Sequence, residues 1–159
     1  MQKNIWYTAR QVKRIETEVT KRLNLAALIL VNDIKQSFTS FKVGNAAGRK
    51  IVKVRRGKGK QASKYHVVSK PGEPPAVGTG KLRQSITYNV SLFNKNIVLR
   101  VGILKGSAQK QTVLKYARRL EWGFIGKDKL GRNVHQLPRP WLYPAYRRKR
   151  QQIINLLSK

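Results

Sequence analysis

The chain contains no cysteine and only six acidic residues among 159. Without cysteine it can form neither disulfides nor a thiolate metal site, and it has no thiol nucleophile. The few carboxylates form no convincing active-site pair, and the two histidines, His66 and His135, lie far apart with no metal-ligand spacing around them. The Gly57–Lys60 stretch lacks full P-loop spacing. We therefore expect no enzymatic activity, no metal and no cofactor.

Long apolar runs are also lacking. The longest run, Leu25 to Val31, is far too short to cross a bilayer as a helix. The first residues, Met1 to Trp6, lack the apolar core of a signal peptide. We therefore expect a soluble protein that is made in the cytoplasm and has no membrane partner.

Positive charge is what the chain has in excess. It carries 35 Lys and Arg, which gives a formal net charge of +29. Such self-repulsion favours an anionic partner or an assembly that screens the charge, although a highly solvated surface is the simpler alternative. Zinc-finger spacing, a recognition-helix pattern and an RNP aromatic motif are all missing, so any contact with nucleic acid is expected to be independent of sequence.

Residues from about Thr8 to Phe38 show the clearest helical period. Apolar residues recur there every three or four positions without a proline or glycine, and Thr8 is a plausible N-cap. The pattern predicts a long helix that packs on a sheet and extends past it. Its apolar positions are Val12, Ile15, Val19, Leu23, Ala26, Leu30, Ile34 and Phe38.

Residues 49–68, here called the basic arm, are predicted to form a β-hairpin with strands at 51–54 and 65–68. A hairpin alone is marginal in water, so its tip is expected to order against a partner. We expect this arm to contact DNA or an acidic neighbouring protein. The basic residues that would make the contact are Arg49, Lys50, Lys53, Arg55, Arg56, Lys58, Lys60 and Lys64.

The second half of the chain alternates between strand and helix patterns. Residues 86–92 and 97–103 have the period of an antiparallel hairpin, 112–122 has helical spacing, 123–138 is a Gly-rich loop, and 140–157 is a terminal helix interrupted early by Pro144. We therefore predict one α+β domain over residues 1–159. A long N-terminal helix would pack on an antiparallel β-sheet, with the protruding basic arm and two shorter helices.

Three segments have a more specific appearance. Residues 70–86 form a proline-punctuated loop that runs through Thr79-Gly80 into a short amphipathic turn. Residues 116–123 read Tyr-Ala-Arg-Arg-Leu-Glu-Trp-Gly, and residues 138–145 read Pro-Arg-Pro-Trp-Leu-Tyr-Pro-Ala. In this order, the three motif segments resemble the neck and tail-completion proteins of long-tailed bacteriophages, the group that includes the minor tail protein Z. The resemblance covers roughly residues 69–157.

The resemblance implies a structural virion protein located in the neck or tail and assembled in the host cytoplasm. Such a protein would form a closed homo-oligomeric ring, a hexamer or alternatively a dodecamer, between the connector and the tail-tube or tail-terminator proteins. Double-stranded DNA would pass through its channel. The residues expected at subunit or ring interfaces are Pro71, Glu73, Pro74, Pro75, Glu121, Trp122, Arg139, Trp141 and Tyr143.

Several alternatives stay open. Glu121 is expected to form an ion pair, either within the subunit with a residue such as Arg118 or across a subunit boundary. The proline loop is either a contact element or a stiff connector, and Trp141 and Tyr143 are either core residues or interface anchors. The alternative function is that of an architectural protein that binds nucleic acid independently of sequence.

Overall fold

The structure is a computed structural model that describes residues 8–38, 48–54, 64–94, 96–104, 108–128 and 130–158. It confirms the predicted α+β class. The elements in chain order are α1 (Ala9–Ser37), β1 (Ile51–Val54), β2 (Lys64–Val67), α2 (Lys81–Ser85), β3 (Thr87–Phe93), β4 (Asn96–Gly102), α3 (Ala108–Trp122), β5 (Phe124–Lys127), β6 (Asn133–Gln136) and α4 (Tyr143–Leu157).

Helix α1 begins and ends within a residue of its predicted limits. Thr8 is its N-cap and forms a capping box with Gln11. Gln11 N donates to Thr8 Oγ1 at 3.4 Å, and Thr8 N donates to Gln11 Oε1 at 2.8 Å. The C-terminal half of the helix is packed, with Ala26, Leu30 and Ile34 buried. By contrast, residues 9–19 are exposed all round among the described residues. The helix therefore extends well beyond the domain core, as its sequence predicts.

The described strands form three separate antiparallel pairs instead of one sheet. β1 pairs with β2, β3 with β4, and β5 with β6. The hairpins expected at 51–68 and 86–103 are present, with Ile51 opposite Val67 and Val90 opposite Leu99. The prediction of a loop over 123–138 was wrong, because β5 and β6 form a hairpin there. Each of these strands has only four residues, too few to show a clear period.

The core lies where α1 crosses α4 and the β3–β4 hairpin. Phe38, just after α1, meets the Trp141 ring edge-on at a centroid distance of 6.0 Å. These two rings join the N-terminal helix to the segment that leads into α4. The buried residues of this cluster are Leu30, Val31, Ile34, Phe38, Leu82, Ile86, Ala117, Leu120, Trp141 and Ala145.

The last helix begins later than predicted. Pro144 does not interrupt α4, since it occupies the second position, where a backbone N–H has no partner inside the helix. The structure thus corrects the expected start at 140 to Tyr143. Among the helices of the described ranges, none is both long enough and apolar enough to span a bilayer.

Candidate functional site

The three motif segments meet at one corner of the fold. Gly72 N of the proline loop donates to Pro138 O at 2.9 Å. Arg139, in the third segment, binds the second, because its backbone N donates to Leu120 O at 2.6 Å. Its side-chain Nε donates to the O of Ser69, the residue just before the proline loop, at 2.9 Å. Hydrogen bonds to backbone carbonyls therefore hold together residues separated by up to 70 positions in sequence. We call this region the motif corner.

Glu121 is the central residue of the motif corner. Its side chain comes from the last turn of α3, is only 8 % exposed, and points at the start of α4. Oε2 accepts hydrogen bonds from Trp141 N at 2.7 Å and Leu142 N at 3.0 Å, and Oε1 accepts one from Tyr143 N at 3.0 Å. The first turn of α4 contains no acidic residue, and Leu142 makes no capping side-chain bond among the described residues. Glu121 therefore caps α4 from outside that helix.

This geometry corrects two expectations for the motif corner. Glu121 forms no ion pair within the described ranges, with Arg118 or any other residue, because backbone N–H groups take both of its oxygens. Trp141 is a core residue, and its indole Nε1 donates to Ala117 O at 3.4 Å. Both side chains are buried and make their hydrogen bonds within the chain. Trp122 and Tyr143, in contrast, are exposed, so their expected interface role stays a prediction.

The proline loop is fixed by an ion pair at its base. Arg49 Nη2 and Nε bind Glu73 Oε1 and Oε2 at 2.9 and 3.2 Å, and Lys70 N donates to Oε2 at 2.9 Å. The Arg49 guanidinium, together with the Lys70 backbone donor, lowers the pKa of the Glu73 carboxyl below its ordinary value. Pro75 is buried and Pro71 is exposed, so only part of the loop surface is available to a partner. An interface role for Pro71 and Pro74 stays a prediction.

The basic arm is described only in part. Arg55, Arg56, Lys58 and Lys60 lie outside the described residues, and so do the side chains of Lys53 and Lys64. Lys50 is exposed at the base of the arm. Arg49 differs from the expectation, because it binds Glu73 of its own chain. The assignment of Arg49 to DNA contact is thus replaced by a role in fixing the proline loop.

Beside the motif corner lies an open groove of about 610 Å³. We call it the apolar groove. Its floor is formed by Leu99 and Val101 of β4 and Leu30 of α1, and its walls come from α3 and α4. Trp122, which is 79 % exposed, stands on one wall, and Tyr146 stands on the other. A volume of this size suits a small ligand or several side chains of a partner.

Sequence patterns predicted the strand and the helix that line the groove, but they did not predict the groove itself. The alternation of residues 97–103 predicted a half-buried strand, and the helical spacing of 112–122 predicted a packed helix. Neither pattern shows that these faces remain uncovered after folding. One signal in the sequence could have indicated the groove. Trp122 follows Arg118 by four positions, which places an aromatic side chain and a cation on the same face of a helix.

Most carboxylates of the described residues make contacts within the chain. Five of the six carboxylates are engaged: Glu121 with backbone N–H groups, and the others with arginines in the pairs Glu18–Arg22, Asp33–Arg148, Glu73–Arg49 and Asp128–Arg132. Across the described ranges, no group of three or more His, Asp or Glu side chains could hold a metal ion.

Comparison of the chain with protein-family models, with curated proteins and with solved structures found no match. The resemblance to neck proteins stays a prediction that depends on the three motif segments alone.

Proposed function

We propose that this chain is a structural protein of a bacteriophage neck. Copies of it would form a closed ring that joins the DNA-filled head to the tail and leaves a channel for the genome. The observation that carries the proposal is the motif corner, in which the three segments that resemble neck proteins form one hydrogen-bonded unit.

The surface beside the motif corner supports assembly. Trp122 is largely exposed, and Tyr143 and Tyr146 are exposed nearby at the mouth of the apolar groove. Tyrosine and tryptophan are enriched among the residues that anchor protein interfaces. A groove on one side and different surfaces elsewhere favour a heterologous contact, in which each copy presents unlike faces to its two neighbours. Such contacts form a closed ring when the rotation between copies closes.

The function of the ring would be mechanical. DNA in the channel would neutralise only a minor part of the ring's positive charge. Six copies of a chain with net charge +29 would carry about +174. Helix α1, with 29 residues, gives a height of about 45 Å, and duplex DNA over that distance carries only about 26 phosphates. Most of the positive charge would therefore face counterions or acidic neighbouring proteins in the neck.

The basic arm is proposed to face DNA or one of those acidic neighbours. The test is a variant in which its Lys and Arg residues, other than the ion-paired Arg49, are replaced by Ser and Gln. We expect particles with this variant to join tails or to deliver DNA poorly. Normal tail joining and normal DNA delivery would exclude this role for the arm.

A second candidate is a protein that binds nucleic acid as a free subunit. The observation in its favour is the basic face of the exposed part of α1, where Arg10, Arg14 and Lys21 lie on one side of the helix. Phosphate binding of this kind depends steeply on salt and not on sequence.

Light scattering of the purified protein, across a salt series and free of nucleic acid, separates the two functions. A discrete ring-sized species that persists at high salt is the result expected for a neck protein, because apolar contacts are not weakened by salt. A protein that stays monomeric and binds duplex DNA tightly at low salt, with a steep salt dependence, would instead favour the second candidate.

A further inference from the structure

Residues 9–19 of α1, here called the α1 extension, leave an apolar stripe uncovered. Val12, Ile15 and Val19 are exposed, with Ile15 at 52 %. Their spacing of three and four residues places them on one side of the helix, in line with the buried Ala26 and Leu30. The apolar face of α1 thus continues for about three turns beyond the part of the helix that is packed against other described residues.

The stripe is accompanied by a carboxylate. Glu16 lies between Val12 and Val19 on the helix surface, four positions from the first and three from the second. It is the one acidic residue that makes no ion pair or hydrogen bond among the described residues. The opposite side of the extension is basic, with Arg10 and Arg14 exposed. The stripe therefore suits an apolar surface bordered by positive charge.

The apolar groove is such a surface. Leu99, Val101 and Leu114 line it, and the aromatic side chains of Trp122 and Tyr146 stand at its mouth. Arg118 lies at its edge, exposed and without an ion-pair partner in the described ranges. Amphipathic helices bind grooves of this kind through side chains at positions i, i+3 and i+7, which is the spacing of the stripe.

A chain cannot fill its own groove with its own extension. Leu30 of α1 lines the groove, and Val12 precedes it by 18 residues in one unbroken helix that contains no proline or glycine. At 1.5 Å per residue, the stripe lies about 17 Å (Val19) to about 27 Å (Val12) along the helix from Leu30. An α1 extension that fills the groove must therefore come from another molecule, and the complementary charge of Glu16 and Arg118 favours a second copy of this chain.

We infer that the α1 extension of one copy binds in the apolar groove of the next copy, with Val12, Ile15 and Val19 as anchors and Glu16 beside Arg118. The contact is head-to-tail, so each copy gives one helix and receives another, and the chain of contacts closes into a ring or continues as a filament. The inference rests on the proposed function in that both require contact between copies.

Cysteine cross-linking tests the contact directly, because the natural chain has no cysteine to give a background. The doubly substituted chain Ile15→Cys with Trp122→Cys is expected to form, on mild oxidation, a ladder of covalent oligomers. Each single variant should remain uncrosslinked, since a disulfide requires Cα atoms within about 7 Å. Dimers of the Ile15→Cys variant alone would show that two extensions pair with each other and would overturn the inference.

Removal of the anchors tests the energetic role of the stripe. The triple variant Val12→Ser, Ile15→Ser and Val19→Ser should self-associate at least about 100-fold more weakly than the natural chain. The matched control is Leu25→Ser with Leu28→Ser, which changes exposed apolar residues on another side of α1 and should leave association unchanged. Circular dichroism checks that both variants remain folded. Natural association in the triple variant would overturn the inference.

A charge exchange tests the register. Glu16→Arg and Arg118→Glu should each weaken association several-fold, and their combination in one chain should restore it. Failure of the combination to restore association would overturn the proposed register. If oligomers form but the doubly substituted chain does not cross-link, the contact between the α1 extension and the apolar groove is contradicted, while the ring function stands. If the protein is monomeric at every concentration, a second copy does not occupy the groove. The binding of duplex DNA across a salt series then decides between the neck function and the free nucleic-acid-binding protein.

Discussion

Replacing Glu121 by glutamine should destabilise the protein more than any other single change to its carboxylates. The Glu121→Gln side chain keeps the shape of the carboxylate, but its NH₂ group donates and cannot accept. At least one of the three N–H groups of Trp141, Leu142 and Tyr143 then loses its acceptor. The start of α4 also loses the negative charge that faces its N-terminal dipole.

The expected loss follows from these two changes. A hydrogen bond to a charged group contributes about 1.5–3 kcal/mol, and a buried N–H left without an acceptor costs a similar amount. A carboxylate at a partly buried helix N-terminus adds up to about 2 kcal/mol. We therefore expect the free energy of unfolding to fall by about 2–4 kcal/mol, which for a chain of this size lowers Tm by roughly 5–15 °C.

Urea unfolding at pH 7, followed by circular dichroism and tryptophan fluorescence, measures this loss. The matched control is Glu18→Gln, which removes an exposed carboxylate that pairs with Arg22 on the surface of α1. Such surface pairs contribute less than about 1 kcal/mol. Equal stability of the Glu121→Gln and Glu18→Gln variants would refute the assignment of Glu121 as the cap of α4.

Three further predictions concern other parts of the fold. Gly123→Ala should cost more than Gly131→Ala in urea unfolding, because both glycines have positive φ but only at Gly123 would a Cβ lie 2.9 Å from a backbone oxygen; equal losses would contradict this. Burial lowers the pKa of His66 in the folded protein. As pH falls below 6.5, the imidazole therefore becomes protonated in the unfolded chain before it does in the folded one, and the free energy of unfolding should decrease. A His66→Gln variant should lose that dependence, and an unchanged dependence would assign it to another group. The pKa of Glu73 is also lowered, so its bond to Arg49 should persist above the ordinary carboxyl pKa of 4.5 and be lost as pH falls through the lowered value. Proteolysis of the proline loop should then increase at low pH, and a Glu73→Gln variant should be cut readily at neutral pH.

The sequence predicts elements well where a local pattern decides them. Helix α1 has a long apolar period and a side-chain cap, so both its presence and its start at Thr8 were predictable. The β3–β4 hairpin has clear alternation on both strands. The β5–β6 hairpin escaped prediction because its strands are short and its glycines indicate a loop, although Ile125 does pair with His135.

The site was predictable only as separate segments. Local spacing suggested that Glu121 would pair with Arg118, one turn away. Its partners are instead backbone N–H groups about 20 residues further along, which no local pattern encodes. Trp141 shows the same limit, because an aromatic residue beside a helix start suits a core and an interface equally well. Only the folded arrangement shows that Trp141 is enclosed and Trp122 is exposed.

The proposed neck function requires that copies of this chain close into a ring. Electron microscopy of the purified protein, at high salt and free of nucleic acid, tests this most directly. We expect particles with rotational symmetry, six-fold in the hexameric case, and an open central channel. Particles that are only compact dimers without a channel, or open filaments, would contradict the central claim.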